Sequence, residues 1–301
     1  GYAGTGKTFI TKGLTEYFRS VGRNFVLMAP TGKASKVIAT KTGTHASTIH
    51  SAIYALDDLV EYRDREDDGT LTYKFYASLR GNNDSVDTVY IIDEASMVSD
   101  NYQEGEFFRF GSGHVLRDLL TYVNLDHNDH RKKIIFIGDA AQLPPVGMST
   151  SPALSSDYLQ QKYGLEAKEY ELAEVVRQAA DSGVVANALR LREAIRARSF
   201  NQLTVDLSTP DVEKVEDHDF MERYLDACNR KISAGAIVVA QSNATVASFN
   251  QMIRAHFFPG QQEVTAGDKV ISTNNSRWPG FFISNGDFGL VRSVLGEPES
   301  R

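Results

Sequence analysis

Residues 1–8 read GYAGTGKT and fit the pattern G-x-x-x-x-G-K-[ST] at every fixed position. Glycines in such a loop let successive backbone N–H groups turn inward around an anion. The sequence predicts a helix over residues 9–17, directly behind the loop, and its positive dipole end would point at the same anion. The stretch therefore predicts a phosphate-binding loop with a nucleoside triphosphate as its ligand.

Two side chains of this stretch carry specific contacts in the pattern. Lys7 would reach the β and γ phosphates of ATP, and the hydroxyl of Thr8 would bind Mg²⁺. The full predicted nucleotide-binding set is Gly1, Ala3, Gly4, Thr5, Gly6, Lys7, Thr8 and Phe9. A glycine-rich turn that matches by chance is the alternative, and the motifs farther along the chain argue against it. A β-strand normally precedes a loop of this kind, so we expect the sequence to be a piece of a longer protein.

Composition limits the class of protein. The chain has 301 residues, which is long enough for two cores of typical domain size. Hydrophobic residues make up 42% of it and charged residues 24%, which is typical of a soluble globular protein. The single cysteine, Cys228, excludes an internal disulfide framework and favours a reducing, cytoplasmic location. No uninterrupted apolar stretch is long enough to span a bilayer, so we expect no membrane association.

The formal net charge of −7 argues against a protein that coats nucleic acid through bulk positive charge. It leaves room for a narrow basic track, because a motor that moves along nucleic acid grips it weakly and releases it.

Three short apolar runs predict the central sheet. They lie at residues 25–29 (FVLMA), 89–92 (VYII) and 134–137 (IIFI), and each runs into a turn or a polar cluster at its carboxyl end. Apolar strands separated by helical stretches indicate an α/β fold with a parallel sheet. Ligands of such sheets lie at the carboxyl ends of the strands, where the motifs of this chain are found.

The remaining segments predict further elements. We expect a helix at residues 33–40, a β-hairpin at residues 59–76 that turns at residues 67–69, a strand within residues 169–178, a helix at 182–199, a strand at 236–240, a helix at 244–257, and strands at 268–272 and 288–294. These elements predict two domains, at residues 1–175 and 176–301, with the hairpin inserted in the first at about residues 57–87.

Polar residues after the second and third strands carry the chemistry. Asp93 would hold the metal through its water shell, and Glu94 would polarise the water that attacks the γ phosphate. The alternative is that this acidic pair caps a helix beginning at Ala95. Gln142 lies in GDAAQLPPVG at residues 138–147, and its carboxamide can both donate to and accept from the γ phosphate or its water. A rigid loop leaving the sheet is the alternative for that segment.

Six motifs in order, GYAGTGKT, APTGKAS, STIH, DEASM, GDAAQLPPVG and EVVRQ, resemble the RecD and Dda type of superfamily 1B DNA helicases, which includes the exodeoxyribonuclease V alpha subunit. The resemblance runs along almost the whole chain. It implies a P-loop NTPase of two RecA-like domains, the second incomplete here, with ATP between them. It also implies 5′ to 3′ translocation along single-stranded DNA that couples ATP hydrolysis to strand separation.

The resemblance also assigns residues. Lys7 and Thr8 match the phosphate-loop contacts, Asp93 and Glu94 the Mg²⁺ and water residues, and Gln142 the γ phosphate sensor. Arg177 matches an arginine that reaches the γ phosphate. The residues that match nucleic-acid contacts are Pro30, Thr31, Lys33, Thr48 and His50, and the hairpin residues Tyr73, Phe75 and Tyr76 are candidates for stacking on DNA bases.

Alternatives remain open at several of these positions. His50 is also consistent with a packed or capping histidine, and the hairpin with an ordinary solvent-exposed one. For the whole protein, the alternatives are an ATP-switched DNA-binding or assembly subunit and an RNA helicase of the related Upf1-like group. Two late motifs of the family, one of them an arginine-bearing finger, do not occur here, so the resemblance assigns unwinding to a longer parent protein. Expected partners are single-stranded and fork DNA, with nuclease-complex subunits possible and a monomer favoured.

Overall fold

The computed structural model describes residues 5–65, 71–105, 108–125, 131–172, 182–199, 204–232, 235–273, 276–278 and 281–296. The chain divides into two compact units. The first comprises Gly1–Ala180 and Leu191–Asn201, and the second comprises Asp181–Arg190 and Gln202–Arg301.

The first unit contains most of the regular structure. Its elements are α1 (Lys7–Ser20), β1 (Phe25–Ala29), α2 (Gly32–Thr42), β2 (Ser47–Thr48), α3 (Ile49–Ile53), β3 (Tyr54–Arg65), β4 (Leu71–Leu79), β5 (Val89–Ile92), β6 (Phe108–Phe110), α4 (Val115–Val123), β7 (Lys133–Phe136) and α5 (Ser156–Tyr163). The predicted helix at 9–17 and the predicted strands at 25–29 and 89–92 are confirmed. The third strand ends at Phe136, one residue earlier than expected.

A four-stranded parallel sheet in the order β2-β1-β5-β7 organises this unit. Met28 of β1 is in register with Ile92 of β5, and Ile92 is in register with Phe136 of β7. The carboxyl ends of three strands therefore meet at one edge, and the segments that leave them begin side by side. The predicted α/β class with a parallel sheet is confirmed.

The two central strands of the sheet, β1 and β5, are apolar at every position and are buried or half-buried throughout. All four residues of β5 are buried. Tyr90 and Ile92 pack in a cluster with residues of α3 and α4, while Val89 and Ile91 pack in a second cluster that includes Phe18 of α1. Alternate side chains of a strand point to opposite faces, so one short run supplies two cores. Full burial of each such side chain contributes about 1.5–3 kcal/mol.

The predicted hairpin is confirmed and is longer than expected. Strands β3 and β4 pair antiparallel, with Val60 opposite Tyr76, and the expected turn residues 67–69 lie outside the described residues. A third strand, β6, pairs parallel to β4, with Phe108 opposite Phe75. Its three residues are too few to give a periodic signal in the sequence.

A buried carboxylate, Asp100, links helix α5 to the rest of the first unit. Asp100 accepts hydrogen bonds from the hydroxyls of Tyr158 and Tyr163, both at 2.6 Å, and its Oδ2 lies 2.6 Å from Nζ of Lys162. Burial alone would raise the pKa of Asp100, but the hydrogen bonds from Lys162 and the two tyrosines hold that pKa below its ordinary value.

We expect Asp100→Asn to lower the free energy of unfolding by about 3 kcal/mol, because the carboxylate and its charge-assisted hydrogen bonds are lost. Since the folded pKa is depressed, the stability that Asp100 contributes is present above the unfolded carboxyl pKa and is lost as pH falls through the folded value. Urea denaturation at pH 7 and at acid pH should show a deficit that shrinks on acidification. Asp157→Asn, on the exposed part of α5, is the control. Equal stability of the two variants at pH 7 would contradict this role.

The second unit consists of helices and short antiparallel ladders. Its elements are α7 (Phe220–Ala227), α8 (Asn243–Phe257), β8 (Lys269–Ile271), β9 (Ser276–Trp278), β10 (Phe281–Ile283) and β11 (Phe288–Leu290), and α6 (Gly183–Arg196) is divided between the units after Arg190. Strand β8 pairs with β11 and β9 with β10. The predicted helices at 182–199 and 244–257 and the predicted strands near 268–272 and 288–294 are confirmed, with shorter strands than expected.

One predicted strand is wrong. Residues 236–240 have no regular secondary structure, and Ile237 and Val239 are 79% and 87% exposed. An apolar run forms a buried strand only where neighbouring strands satisfy its backbone groups, and no described strand pairs with this segment. Residues 169–172 have no regular secondary structure, and the rest of the strand predicted within 169–178 lies outside the described residues, so it stays a prediction.

Candidate nucleotide and nucleic-acid sites

Helix α1 begins where the phosphate loop ends. Gly6 is the residue that caps the helix, and its φ of 85° is in the left-handed region that favours glycine. The first turn of α1 contains Lys7, Thr8 and Phe9, so backbone N–H groups with no intrahelical acceptor are presented there. Thr5 is buried, and Phe9 is exposed. The predicted loop residues Gly1, Ala3 and Gly4 lie outside the described residues.

Hydrogen bonds between strand ends position the acidic pair. The backbone N–H of Asp93 donates to the carbonyl of Met28 at 2.9 Å, and that of Ala95 donates to the carbonyl of Ile137 at 2.9 Å. The loop after β5 is thus held between the end of β1 and Ile137, which follows β7. In the sheet β5 lies between β1 and β7. The carboxylates of Asp93 and Glu94, which directly follow β5, therefore lie near the middle of the carboxyl edge of the sheet.

Glu94 has an unusual backbone conformation. Its φ of 50° and ψ of 39° place it in the left-handed region, which costs a non-glycine residue about 1 kcal/mol or more. A short 3-10 turn follows at Ala95–Met97, and the Glu94 side chain makes no capping hydrogen bond to it. The helix-capping alternative for Glu94 is therefore not supported. Strained conformations of this kind concentrate at functional sites.

The environment of Asp93 suits a neighbouring cation. Burial, and next the negative charge of Glu94, raise the pKa of Asp93, while the charges of Lys7 and Lys41 act in the opposite direction. A divalent cation would stabilise the charged form of this half-buried carboxylate. Among the described residues, no group of three or more His, Cys, Asp or Glu side chains could hold a metal by itself. One carboxylate and one hydroxyl, Asp93 and Thr8, fit Mg²⁺, which usually keeps several waters and shares phosphate oxygens.

Close backbone packing joins the loop after β7 to the loop after β5. A Cβ at Gly138 would lie 3.0 Å from the backbone nitrogen of Ser96 and 2.8 Å from Cδ1 of Leu154, so only glycine fits without displacement. The Oγ of Ser96 lies 3.4 Å from Oε1 of Gln142. These contacts bring Gln142 beside the Asp93–Glu94 loop.

Asp139 connects the phosphate loop to the loop after β7. Its Oδ2 lies 3.7 Å from Nζ of Lys7, and its side chain is 2% exposed. Its Oδ1 accepts a hydrogen bond from the backbone of Ala141, and the backbone N–H of Gln142 donates to its carbonyl. Lys7, Asp93, Glu94, Asp139 and Gln142 are therefore gathered at the carboxyl edge of one sheet.

Arg192 is a member of this cluster that the sequence did not indicate. Its Nη2 lies 2.7 Å from Oδ1 and 2.6 Å from Oδ2 of Asp139. Burial alone would raise the pKa of Asp139, but the hydrogen bond from Arg192, that of Ala141 and the charges of Arg192 and Lys7 keep it below its ordinary value. No local motif surrounds Arg192, and its pairing spans 53 positions of sequence. Arg177, the predicted γ phosphate contact, lies outside the described residues.

Two of the predicted nucleic-acid residues cap helices. Oγ1 of Thr31 accepts from the backbone of Ala34 at 3.2 Å, and Oγ1 of Thr48 accepts from the backbone of Ser51 at 3.1 Å. Ala29 is in register with Thr48, so both caps lie at adjacent strand ends. Pro30 is half-buried and Lys33 exposed at the same edge.

His50 is packed among aromatic rings. Its ring centroid lies 5.5 Å from that of Tyr54 and 5.2 Å from that of Phe110. Burial lowers the pKa of His50, and the charge of Asp118 only partly opposes this effect. Burial therefore disfavours the charged imidazole, which favours the packed-histidine alternative over a cationic phosphate contact.

Aromatic residues line one side of the hairpin sheet. Tyr73 is 49% exposed, and the Phe75 ring stacks on Phe108 with centroids 5.6 Å apart. Phe108, 42% exposed, was not among the predicted residues. Tyr76 instead contacts the guanidinium of Arg109, 5.9 Å from the ring centroid.

Comparison with known proteins adds independent information. Residues 1–108 match the model of the AAA domain family. The ATP-dependent RecD2 DNA helicase of Deinococcus radiodurans is 26% identical over 307 residues, which cover 98% of this chain and 36% of that protein. The RecD-type resemblance is confirmed. The RecD-type similarity includes the second unit as well as the nucleotide motifs.

Other matches cover less or are more distant. An uncharacterized protein of Methanocaldococcus jannaschii is 32% identical over 151 residues, covering 49% of this chain and 11% of that protein. An uncharacterized protein of Acanthamoeba polyphaga mimivirus is 29% identical over 157 residues, covering 49% and 28%. The chain thus spans about a third or less of the length of these curated relatives. The crystal structure of Bacteroides Pif1 with ADP-AlF4 matches with a TM-score of 0.37 and 18% identity, over 97% of this chain and 64% of that one.

Within the described part of the chain, none of the helices combines the length and apolar character needed to cross a bilayer.

Proposed function

We propose that this chain is the ATP-hydrolysing part of a DNA helicase that moves 5′ to 3′ along single-stranded DNA and couples hydrolysis to strand separation. The observation that carries the proposal is the gathering of Lys7, Asp93, Glu94 and Gln142 at the carboxyl edge of a parallel sheet. This edge is where ligands bind in open α/β folds, and the four side chains are the types that phosphoryl transfer requires.

Each side chain has a distinct role in this proposal. Lys7 and the amides at the start of α1 bind the β and γ phosphates. Thr8 and, through its water shell, Asp93 would hold Mg²⁺, which would neutralise charge on the phosphate oxygens. Glu94 orients the attacking water and accepts its proton. Gln142 donates to the γ phosphate, and Arg177 stabilises charge on it, a contribution that reaches about 10³ to 10⁵ in rate for arginine fingers.

The proposal includes two RecA-like domains with a boundary near residue 176. Binding of ATP and loss of phosphate would favour different arrangements of such domains, so that alternating grip on DNA becomes movement. The relatives support this proposal because one of them is named as an ATP-dependent DNA helicase and matches along 98% of this chain.

DNA contacts are proposed at two surfaces of the first unit. The first surface is formed by the helix starts at the ends of β1 and β2, which contain Thr31, Lys33 and Thr48. These residues offer backbone N–H groups, hydroxyls and an ammonium to DNA phosphates, and such contacts do not depend on the DNA sequence. Tyr73, Phe75 and Phe108 present aromatic rings, and stacking of a base on such a ring contributes about 1–3 kcal/mol. The proposed partners are single-stranded and fork DNA, with a monomeric, cytoplasmic protein acting in repair or recombination, alone or with nuclease subunits.

Strand displacement by the full-length protein that contains this chain tests the proposal. A duplex with a 5′ single-stranded tail should be unwound with ATP, and the same duplex with a 3′ tail should not. ATP turnover should rise more with single-stranded DNA than with RNA. Nucleotide and DNA binding without displacement would indicate an assembly subunit, stronger stimulation by RNA would indicate an RNA helicase, and either result would refute the proposal.

A further inference from the structure

Asp139 is a buried carboxylate that lies beside two cations. The Arg192 guanidinium contacts both carboxylate oxygens at 2.6 and 2.7 Å, whereas the Lys7 ammonium lies 3.7 Å from Oδ2. The side chains of Arg192 and Lys7 are each 14% exposed, and that of Asp139 is 2% exposed. All three residues belong to the first compact unit.

The two contacts differ in kind. A distance of 2.6–2.7 Å between a guanidinium nitrogen and a carboxylate oxygen is that of a charge-assisted hydrogen bond. A separation of 3.7 Å is too long for a hydrogen bond, so Lys7 is held to Asp139 by charge alone. A buried carboxylate needs a cation, and Arg192 supplies that cation through the closer contacts.

We propose that Arg192 is a positioning residue for nucleotide binding that acts through Asp139. By neutralising this carboxylate, Arg192 prevents Asp139 from capturing the Lys7 ammonium, which must instead bind the phosphates. The inference rests on the proposed function, because it takes Lys7 as a phosphate ligand. It adds a requirement that the phosphate-loop pattern does not contain, namely a distant arginine that balances the charge next to the loop.

Replacement of Arg192 by glutamine should weaken nucleotide binding. In Arg192→Gln, Lys7 is the one of the two cations that remains beside Asp139. Each nucleotide phosphate must then compete with the buried Asp139 carboxylate for the Lys7 ammonium. We expect the Kd for ATP and for ADP to rise about tenfold, and the KM for ATP to rise more than kcat falls.

A second substitution should reverse this effect. The double variant Asp139→Asn/Arg192→Gln lacks the carboxylate charge that would capture Lys7. Its Kd for ATP should therefore return to within about threefold of wild type. Such non-additive effects of the two substitutions would indicate that Asp139 and Arg192 are directly coupled. Arg192→Lys should retain most of the affinity because it keeps a cation. Arg196→Gln is the matched control, since Arg196 lies one turn farther along α6 and pairs with the exposed Glu171.

The experiment is a titration of the full-length protein and its variants with a fluorescent ATP analogue and Mg²⁺, accompanied by thermal unfolding. Wild-type affinity in Arg192→Gln would overturn the inference. So would a folded double variant that binds as weakly as Arg192→Gln, because Arg192 would then only fasten α6. If Arg192→Gln does not fold, the double variant and Arg192→Lys decide the question, and weak binding by either one contradicts the inference. Lys7→Ala in the same titration separates the two proposals: near-normal binding by that variant would refute the nucleotide site itself.

Discussion

Lys7→Ala should abolish DNA-stimulated ATP turnover by the full-length protein while leaving it folded. Lys7 is the first residue of α1 and lies next to the carboxylates of the candidate site. Removal of one preorganised charge from a phosphate site costs about 10² to 10³ in rate, and loss of affinity adds to this. Steady-state ATP hydrolysis with saturating single-stranded DNA measures the effect.

Lys12→Ala is the control for Lys7→Ala. Lys12 lies on the same helix, is half exposed and pairs with Glu16 one turn later, so its removal should leave turnover unchanged. Circular dichroism should show both variants folded. Wild-type turnover in Lys7→Ala would refute the assignment of the phosphate site.

Glu94→Gln should separate nucleotide binding from hydrolysis. The amide has the shape of the carboxylate but cannot accept the proton of the attacking water, so we expect turnover to fall by about 10² to 10⁴ while the Kd for ATP stays within a few-fold of wild type. Single-turnover hydrolysis and nucleotide titration give the two quantities.

Glu16→Gln provides the comparison for Glu94→Gln, because Glu16 is an exposed carboxylate on α1. It should retain both binding and turnover. If Glu94→Gln hydrolysed ATP at the wild-type rate, the base would have to be another residue, and the left-handed backbone at Glu94 would have no catalytic explanation.

Local patterns were sufficient to predict three of the four strands of the parallel sheet. The runs at 25–29, 89–92 and 134–137 are apolar at nearly every position, and a strand buried on both faces needs that composition. The run at 236–240 has the same composition but no described strand beside it, so it is exposed and irregular. The apolar pattern indicates a preference for strand structure, but the pairing of a strand depends on neighbouring strands that are distant in sequence.

The same distinction between local pattern and distant contacts applies to the residues of the candidate site. Lys7, Asp93, Glu94 and Gln142 were predicted because each lies in a short motif at a loop or a strand end. Arg192 and Phe108 carry no such signal, since their roles depend on which element packs against them. Thr31 and Thr48 were predicted as DNA contacts, and the structure shows in addition that each caps a helix.

Crystallography of the full-length protein with a slowly hydrolysed ATP analogue and Mn²⁺ tests the central claim most directly, because Mn²⁺ can be located by anomalous scattering. The terminal phosphate should lie within hydrogen-bond distance of Lys7 and Gln142, and the Mn²⁺ peak should lie beside Thr8 and the first water shell of Asp93. A nucleotide bound away from the carboxyl edge of β1, β5 and β7, or a Mn²⁺ peak remote from Asp93, would contradict the account.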